Sequence, residues 1–325
     1  MNKRELTELL QGADDRELFE RAALARMQLC GEAVHVRGII EFSNACSLNC
    51  LYCGLRRDNR SLKRYCMEPG EILSSVAQAG KIGVKTIVLQ SGESDAYPPE
   101  KLAGVIARIK KSFNVAVTLC TGVRAEKVYA MWREAGADRY LMKFEAATPS
   151  LHGTVKEGSS LSSRLAAIED LRRSGYQVGS GSIIGLPGQT PADLAADLML
   201  ACELDLDMAA FGPLVPHPNT PVSFARPGDM VMSLRVIAAA RILLGPVHIA
   251  ATTAFDALAP DGRARALAWG ANAIMANLTP ERYRDLYDIY PGRGNNSPDA
   301  VAKILRRIGR PPARCKGHSL KGRVS

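Results

Sequence analysis

The sequence predicts an α/β fold: a complete (βα)8 barrel of the TIM type, with short N-terminal helices and a basic C-terminal tail. Eight segments with the composition of β-strands alternate with amphipathic helical segments along the chain. This alternation indicates βαβ units and hence a parallel sheet, and eight is the number of strands at which such a sheet closes. The length of 325 residues suits one such barrel. A partial barrel of six strands is the alternative.

The predicted elements begin with two helices, at residues 4–10 and 15–29. Strands are predicted at residues 34–43, 85–91, 114–119, 138–145, 176–184, 207–212, 247–251 and 271–276. Helices between them are predicted at residues 69–82, 99–112, 124–135, 161–174, 191–204, 230–244 and 261–269. The resulting organisation is N-terminal helices at residues 1–30, the barrel at residues 31–292, and a C-terminal segment with its basic tail at residues 293–325.

Prolines and glycines mark the ends of several predicted helices. Pro69 and Pro99 fall in first helical turns, where the missing N–H of proline costs nothing. Gly136 and Gly175 follow the C-terminal ends of helices, where a residue that tolerates positive φ is favoured. These signals support the helix boundaries and therefore the number of βα units.

The net charge of +9 comes almost entirely from the C-terminal end of the chain. Residues 301–325 hold eight Lys or Arg residues and no acid, whereas the preceding residues hold 34 basic and 33 acidic residues. A body so close to neutral argues against a nucleic-acid-binding protein. The basic tail is predicted to be a solvated terminal segment, with a docking strip for an acidic partner as the alternative.

The composition predicts a cytoplasmic protein that does not associate with a membrane. Hydrophobic residues make up 46% and charged residues 23%, which is ordinary for a globular protein. There is no run of about 18 apolar residues, the length that a membrane span needs. The N-terminus has no apolar signal core. Disulfides are not expected, because cytosolic thiols are kept reduced.

Three cysteines, Cys46, Cys50 and Cys53, directly follow the first predicted strand at CxxxCxxC spacing. Thiolates at this spacing can converge on one metal centre, because a short loop that leaves a strand curls back on itself. Three ligands for a 4Fe-4S cluster leave one iron without a protein ligand, and that iron can hold the amino and carboxylate groups of S-adenosyl-L-methionine (SAM). An electron from the cluster then cleaves the sulfonium and releases a 5′-deoxyadenosyl radical. Tyr52 fits, since an aromatic residue before the third cysteine is usual in the radical SAM family.

A structural zinc site is the competing interpretation of these cysteines. Such a site needs four Cys or His ligands, and no fourth ligand lies at a regular spacing nearby. Cys66 or His35 would have to be recruited from elsewhere in the fold. A non-catalytic metal-binding or scaffold protein is the function class that this interpretation implies.

Polar and small residues collect where the predicted strands end, which in such barrels is the working face. After the second strand, Ser91 and Gly92 precede Glu93. The glycine lets the backbone approach the methionine amino group of SAM, and the acid can bind it. The sequence therefore predicts SAM contacts at these three positions.

Two charged residues and a glycine-rich turn complete the predicted SAM site. Glu145 ends the fourth strand, and Arg164 follows in the next helix. An acid can take the ribose hydroxyls or the ammonium group, and an arginine can pair with a carboxylate. A structural salt bridge is their alternative role. The glycines between residues 179 and 188, including Gly185, would let the chain pass close to adenine, or simply form a tight turn.

A deeper polar chamber is predicted to hold the substrate. The residues assigned to it are Gln90, Thr118, Cys120, Lys143, Thr252, Thr253, Met275 and Tyr287. Lys143 would supply positive charge for an anionic group. The hydroxyls of Thr252 and Thr253 can instead satisfy one another, and Met275 and Tyr287 can instead be core residues.

Several motifs together resemble the radical SAM maturase of FeFe-hydrogenase, the HydE type, over roughly residues 30–292. The most specific is the cysteine loop with its continuation Gly-Leu-Arg-Arg-Asp-Asn at residues 54–59. Further matches are Thr-Ile-Val-Leu-Gln-Ser-Gly-Glu at residues 86–93 and Gly-Leu-Pro-Gly-Gln-Thr at residues 185–190. The strand-two motif is shared more widely, with biotin synthase and methylornithine synthase relatives.

The resemblance implies a full barrel with one cluster and SAM at its top and a long internal cavity. It implies that Glu145 and Arg164 contact SAM, and that Thr252, Thr253 and Lys143 lie at an anion-accepting substrate region. The implied substrate is an iron–cysteinate complex that carries CO and cyanide, whose sulfur the adenosyl radical attacks on the way to the di-iron centre. The implied partners are a reductase or ferredoxin as electron donor and the other hydrogenase maturases.

The sequence departs from the family pattern at two places, which bear on the number of clusters and on the substrate. Residues 291–296 contain no cysteine and only Cys315 follows, so a second cluster near the C-terminus is not expected. Lys143 stands where the resemblance leads one to expect arginine, which keeps the charge but loses the bidentate fork. A mutase of the methylornithine synthase type, acting on an amino acid, or a biotin-synthase-like enzyme is therefore the alternative. The missing second cluster argues against sulfur insertion.

Overall fold

The computed structural model describes residues 1–293 and 296–322. Its strands are β1 His35–Ser43, β2 Thr86–Ser91, β3 Ala116–Cys120, β4 Arg139–Leu141, β5 Gln177–Ser180, β6 Ile183–Ile184, β7 Met208–Ala209, β8 Gly212–Pro213, β9 His248–Ala251 and β10 Ala273–Asn277. Eight of them close into one parallel barrel in the order β1–β10–β9–β7–β5–β4–β3–β2. The predicted complete barrel is confirmed, and the six-stranded alternative is excluded.

The helices lie between the strands and at the two ends of the chain. They are α1 Lys3–Leu10, α2 Asp15–Cys30, α3 Pro69–Lys81, α4 Pro99–Ser112, α5 Glu126–Glu134, α6 Pro149–Val155, α7 Leu161–Arg173, α8 Pro191–Glu203, α9 Met230–Leu244, α10 Ala254–Leu258, α11 Gly262–Ala268, α12 Glu281–Arg284 and α13 Pro298–Arg307. The sequence missed α6, α10, α12 and α13. None of the helices among the described residues has the length and apolar character to cross a membrane.

The predicted helix ends agree with the structure. Pro69 and Pro99 occupy the first turns of α3 and α4. Gly136 and Gly175, with φ of 105° and 82°, follow the last turns of α5 and α7. Only a residue without a Cβ adopts such φ values at little cost, which is why glycine stands at these ends.

Two predicted strands are each divided, and this shapes the mouth of the barrel. The segment at residues 176–184 forms β5 and β6, and the segment at residues 207–212 forms β7 and β8. The outer pieces β6 and β8 pair with each other in a separate two-stranded sheet. The break falls at Gly181, whose φ is 153° and whose Cβ, were there one, would lie 2.1 Å from the carbonyl oxygen of Ala210. The chain can therefore bend outward only because glycine stands there.

Aromatic side chains fill the layer between the barrel and its helices near β4. The ring of Tyr140 lies against Tyr129, Trp132 and Tyr176, with centroid distances of 5.2, 6.5 and 5.8 Å. The indole Nε1 of Trp132 donates to the carbonyl of Pro99 at 2.9 Å. Burial of each such ring stabilises the fold by roughly 1.5–3 kcal/mol. This packing holds β4, and hence the residues after it, in place.

The described part of the basic tail packs under the barrel through its backbone, so the prediction of a solvated segment is wrong for the backbone. Most of its described basic side chains are exposed, as predicted: Lys303, Arg306, Arg307 and Arg314. Thr86 Oγ1 and Arg139 Nη2 both donate to the carbonyl oxygen of Lys316, each at 2.8 Å. His248 Nε2 donates to the carbonyl oxygen of His318 at 2.9 Å. Buried polar groups at the N-terminal ends of the strands thus find acceptors in the tail, which compensates for their burial.

Side chains of the tail add to this closure. Ser319 Oγ donates to Asp207 Oδ1 at 2.5 Å, and Lys321 Nζ lies 2.5 Å from Asp205 Oδ1.

Three residues that enter the sequence predictions lie outside the described residues: Gly294 and Asn295, within the stretch where cysteines of a second cluster would be expected, and Arg323 of the basic tail.

Candidate active site

A cavity of about 350 Å³ opens where the barrel strands end. Most of the predicted site residues line it: Cys46, Cys50, Tyr52, Cys53, Gln90, Ser91, Gly92, Glu93, Cys120, Lys143, Glu145, Arg164, Thr252, Thr253, Met275 and Tyr287. Residues far apart in sequence meet here because parallel strands present their C-terminal ends at one face. The cavity therefore brings the predicted cluster, SAM and substrate positions into one chamber.

The cysteine loop is held by backbone hydrogen bonds to three other parts of the chain. The amide of Ser47 donates to the carbonyl of Glu93 at 2.7 Å, and the amide of Leu51 donates to the carbonyl of Val155 at 2.9 Å. The amide of Gly54 donates to the carbonyl of Ile289 at 3.0 Å. The loop thus owes its shape to contacts that surround the cysteines on several sides.

Gly92 shows why the strand-two motif needs a glycine. A Cβ at Gly92 would lie 2.2 Å from the carbonyl oxygen of Ala45 and 2.9 Å from the Cβ of Cys46. Any larger residue would push the cysteine loop away from β2. The glycine therefore allows the first cysteine, Cys46, to lie close to β2, and it also leaves room for SAM to approach the backbone.

The donor set fits a 4Fe-4S cluster with one open iron. All three cysteines carry free thiols that face the cavity. Burial raises the pKa of the Cys46 and Cys53 thiols, an unfavourable setting for thiolates that bound iron would reverse. Among the described residues, no group of three His, Cys, Asp or Glu side chains is arranged to hold a single metal ion. In a four-iron cluster, by contrast, each thiolate binds a different iron.

Arg164 and Glu93 form an ion pair at the cavity wall. Arg164 Nη1 lies 3.2 Å from Glu93 Oε2, and Arg164 Nε donates to the carbonyl of Lys143 at 2.8 Å. The Arg164 side chain is almost fully buried, so the pair is shielded from solvent. Burial lowers the pKa of Arg164, but Glu93 and Glu145 outweigh that effect and raise it. The guanidinium is a fixed positive charge in the cavity.

Glu145 stands in an unusual backbone conformation. Its φ is 69°, in the left-handed region that residues with a Cβ rarely adopt. Its amide donates to the carbonyl of Gly181 at 3.0 Å, which holds the turn. Its Oε2 lies 3.0 Å from Lys143 Nζ. Burial raises the pKa of Glu145, but Lys143, Lys156 and Arg164 together lower it below its ordinary value, so the carboxylate is charged at neutral pH.

Two predicted site residues lie away from the cavity. Gly185 has a φ of 87°, and a Cβ there would lie 2.7 Å from the Cα of Gly228. It therefore packs against protein backbone, and the geometry gives no support to its predicted place beside adenine. Thr118 is buried in β3, two residues before Cys120, and its hydroxyl has no hydrogen-bond partner among the described residues.

The predicted substrate residues surround the rest of the chamber. Thr253 Oγ1 lies 2.5 Å from the hydroxyl of Tyr290, whereas Thr252 Oγ1 is buried without a partner among the described residues. The two threonines therefore do not satisfy one another. Burial raises the pKa of Cys120 to about 11, so its thiol is neutral. Burial also raises the pKa of Tyr287 well above its ordinary value.

The sequence missed a buried ion pair at the rim. Glu41, at the end of β1, is fully buried and pairs with Arg293. Asn277 Nδ2 also donates to Glu41 Oε2, at 3.1 Å. Burial raises the pKa of Glu41, and Arg293 counteracts that effect. An acidic residue within the apolar run at residues 39–42 was the signal for Glu41, but nothing marked its partner 252 residues away.

His217 lies fully buried over the end of the cysteine loop. Its Nε2 donates to Asp288 Oδ2 at 2.8 Å, and its Nδ1 accepts from the amide of Asn219 at 3.0 Å. A Cβ at Gly54 would lie 2.0 Å from the carbonyl oxygen of Asp288 and 2.7 Å from the His217 ring. The glycine after the third cysteine is thus required by close packing.

Comparison with known proteins gives a consistent result. A family model described as the Radical SAM superfamily matches residues 40–201. The FeFe hydrogenase maturase subunit HydE of Thermotoga maritima is 46% identical over 303 residues, which cover 91% of this chain and 87% of that protein. The biotin synthase of Halorhodospira halophila is 26% identical, over 82% of this chain and 80% of that protein.

Solved structures share the architecture. A crystal structure of methylornithine synthase has a TM-score of 0.86 at 22% identity and covers 96% of this chain and 94% of that one. The FeFe-hydrogenase maturase HydG from Carboxydothermus hydrogenoformans has a TM-score of 0.83 at 20% identity and covers 97% of this chain and 76% of that one. At these identities the likeness supports the barrel fold alone.

Proposed function

Because the chain belongs to the radical SAM superfamily and, within it, to the family of the FeFe hydrogenase maturase subunit HydE, we propose that it acts in maturing the di-iron centre of FeFe-hydrogenase. The observation that carries this proposal is the identity of 46% over 91% of the chain. The biotin synthase relative reaches only 26%. The members of this superfamily are enzymes that use a 4Fe-4S cluster and SAM, so we assign both to this chain.

Cys46, Cys50 and Cys53 would hold the cluster. They lie in one loop and line the same cavity as the ion pair of Glu93 and Arg164. Cys120 also lines this cavity, but it comes from β3 and not from the loop. When bound, the cluster supplies the electron that cleaves the SAM sulfonium. The role of the surrounding side chains is to hold SAM in one orientation and to keep water away from the reactive carbon.

The charged residues of the cavity suit a zwitterionic ligand. Glu93 and Glu145 offer carboxylates for an ammonium group or for ribose hydroxyls, and Arg164 offers a fork for a carboxylate. In the protein alone these groups pair with one another. Binding of SAM would exchange those pairs for pairs with its own charges, which compensates for the loss of the pairs seen in the protein alone.

The substrate would lie below SAM, against Thr252, Cys120 and Met275, which line the same cavity. The unpartnered hydroxyl of Thr252 supports this assignment, because a buried hydroxyl without a partner costs free energy unless a ligand supplies one. Lys143 adds positive charge for an anionic group. These features support a substrate with hydrogen-bonding and anionic groups, and the family of the chain is what points to an iron complex.

A mutase that acts on an amino acid is the second candidate, and Lys143 is the observation that favours it. The ammonium group of Lys143 already pairs with Glu145 Oε2 at 3.0 Å. It is therefore less free to bind the cyanide ligands of an iron complex than the expected arginine, with its bidentate fork, would be. Conversion of lysine to methylornithine by the purified enzyme would support this candidate. Lysine recovered unchanged, with hydrogenase maturation intact, would exclude it.

The proposed partners follow from this function. A ferredoxin or a reductase would supply the electron, and the other hydrogenase maturases would be further partners. The location that suits these partners is the cytoplasm.

Anaerobic reconstitution tests the proposal. The iron- and sulfide-loaded protein should form 5′-deoxyadenosine from SAM with dithionite, and should support activation of apo-hydrogenase in a defined mixture with the other maturases. A protein that cleaves SAM but never supports activation would leave the superfamily assignment standing and would contradict the maturase function.

Cysteine variants test the cluster ligands. Cys50→Ala should lose the four-iron EPR signal, because only two ligands remain. Cys202→Ala is the matched control, since Cys202 is an exposed free thiol on α8. An unchanged signal in Cys50→Ala, or a colourless zinc-loaded wild-type protein, would contradict the cluster assignment.

A further inference from the structure

Lys156 is a buried lysine beside one of the proposed cluster ligands. Its Nζ lies 3.5 Å from Cys50 Sγ, within the range of an N–H···S hydrogen bond. The residue is 5% exposed, and it lines the same cavity as the three cysteines. Lysine is almost never buried to this extent without a partner for its charge. A buried Lys156 therefore calls for a group that compensates its positive charge.

The backbone fixes Lys156 relative to Cys50. Lys156 directly follows the last residue of α6, and the carbonyl of that residue, Val155, accepts from the amide of Leu51 at 2.9 Å. The fully buried His152 ties α6 to the segment after β4, because its ring Nδ1 donates to the carbonyl of Phe144 at 2.8 Å. The residue next to Lys156 is thus bonded to the residue next to Cys50, which fixes the two backbones relative to each other. The lysine side chain spans the remaining distance to the sulfur.

Protein carboxylates do not account for the charge of Lys156. None of the ion pairs among the described residues includes it. Glu145 acts on it at longer range, but Lys143 Nζ already lies 3.0 Å from that carboxylate, and Arg164 also faces it. The positive charge of Lys156 is therefore available to the sulfur of Cys50.

We propose that Lys156 donates a hydrogen bond to the Cys50 sulfur and that its charge raises the reduction potential of the cluster. Reduction adds one negative charge to the cluster, and a buried cation next to a ligand sulfur stabilises the reduced form more than the oxidised form. Hydrogen bonds to cluster sulfurs act in the same direction. The inference rests on the proposed cluster ligands.

The consequence is a compromise between two steps. A higher potential makes electron uptake from the donor easier, whereas a lower potential would give a stronger driving force for SAM cleavage. Lys156 is a positioning residue in this scheme: it acts on the cluster through Cys50 and touches neither SAM nor substrate in its assigned role.

Redox titration of the loaded protein, followed by EPR, tests the proposal. Without SAM, Lys156→Met should have a more negative potential than the wild type, Lys156→Gln should lie between them because its amide donates without a charge, and Lys156→Arg should stay close to the wild type. Lys63→Met is the control: it makes the same replacement at an exposed position, where solvent screens the charge.

Several outcomes would overturn the proposal. Equal potentials in Lys156→Met and wild type, at equal iron and sulfide content, would do so, and so would a shift of the same size in Lys63→Met. A weaker affinity for SAM with an unchanged SAM-free potential would make Lys156 a SAM ligand instead. If the wild type itself forms no four-iron cluster, the proposed function fails rather than this inference alone.

A measurement on the wild type keeps the test independent of how well the variants fold. In protein labelled with 15N-lysine, pulsed EPR of the reduced cluster should detect a weakly coupled 15N nucleus. The coupling should be absent in labelled Lys156→Arg. No coupling in the wild type, or one that persists in the variant, would contradict the hydrogen bond.

Discussion

The guanidinium of Arg164 lies 3.2 Å from Glu93 Oε2 and so links α7 to the loop after β2 across the cavity. The two residues lie 71 positions apart in the chain. In the SAM-bound enzyme we expect the same guanidinium to take the carboxylate of SAM.

Replacement of Arg164 by lysine should therefore weaken SAM binding. We expect Arg164→Lys to raise the dissociation constant of SAM by roughly 10- to 100-fold, since a hydrogen bond to a charged group is worth about 1.5–3 kcal/mol. Equilibrium binding to the loaded protein measures this. Arg173→Lys, at an exposed position on the same helix, should bind SAM like the wild type. Equal affinity in both variants would contradict the assignment of Arg164.

Gly122 sets the position of Glu93. Its φ is 79°, and a Cβ there would lie 2.2 Å from Glu93 Oε2. Gly122→Ala should displace the carboxylate and strain the backbone, which together should lower SAM affinity by roughly tenfold or more and destabilise the fold by about 1 kcal/mol. Isothermal titration and thermal unfolding measure the two effects.

Gly104→Ala is the matched control for this prediction. Gly104 lies in α4, and a Cβ added there would have no heavy atom within 4 Å, so alanine should be neutral or slightly stabilising. Unchanged SAM affinity in Gly122→Ala would show that Glu93 does not need its observed position.

The buried carboxyl of Asp197 should make stability depend on pH. Burial raises its pKa to about 7, although the amide of Ala147 and the hydroxyl of Ser182 act in the opposite direction. The folded state thus holds a proton that the unfolded state releases near pH 4. The contribution of this group to stability is complete below that pH and is lost as the pH rises to about 7, by at most about 1.4 kcal/mol per pH unit.

Asp197→Asn removes this titration and tests it. The free energy of unfolding of the variant relative to the wild type should increase from pH 5 to pH 7 and stay constant above that. Urea unfolding of the reduced, cluster-free proteins measures the difference. Asp193→Asn, on the same helix but with a pKa that its partners lower, should show no such rise over this range. A pH-independent difference for Asp197→Asn would refute the prediction.

The tail should stabilise the barrel through its backbone. A chain that ends at Ala313 removes the tail carbonyls to which Arg139 Nη2, Thr86 Oγ1 and His248 Nε2 donate, so its thermal midpoint should fall by roughly 5–10 °C. Lys316→Gln keeps the accepting carbonyl and should leave the midpoint unchanged. If Lys316→Gln were as harmful as the truncation, the charge of the tail rather than its backbone would be the important feature.

The sequence was sufficient for the features that local patterns determine. Alternating strands and helices, Pro69 at a helix start and Gly175 at a helix end were visible without the structure, because each depends on a few neighbouring residues. The cysteine loop and the residues at the strand ends were found for the same reason: a parallel barrel brings all of its strand ends to one face.

Other features depend on contacts that no local pattern encodes. The short helix α6 was missed, and with it Lys156, because it is only seven residues long and its last residue bonds to Leu51, which is far away in sequence. The tail was misjudged because the groups that bind it, Thr86 and His248, bond to backbone carbonyls, which every residue carries. The close approach of Gly185 to Gly228 was not foreseen, because a glycine that packs against backbone looks the same in sequence as one that admits a ligand.

The pairing of β1 with both β2 and β10 has a consequence for synthesis on the ribosome. The amide of Glu41 on β1 donates to the hydroxyl of Thr279, just after β10. The two residues lie 238 positions apart, and translation of that length takes about 10–50 s. The cysteine loop emerges early, while the strands that close the barrel over it, and the tail that seals its base, come last. A nascent chain therefore exposes its three thiols to solvent long before the cavity exists.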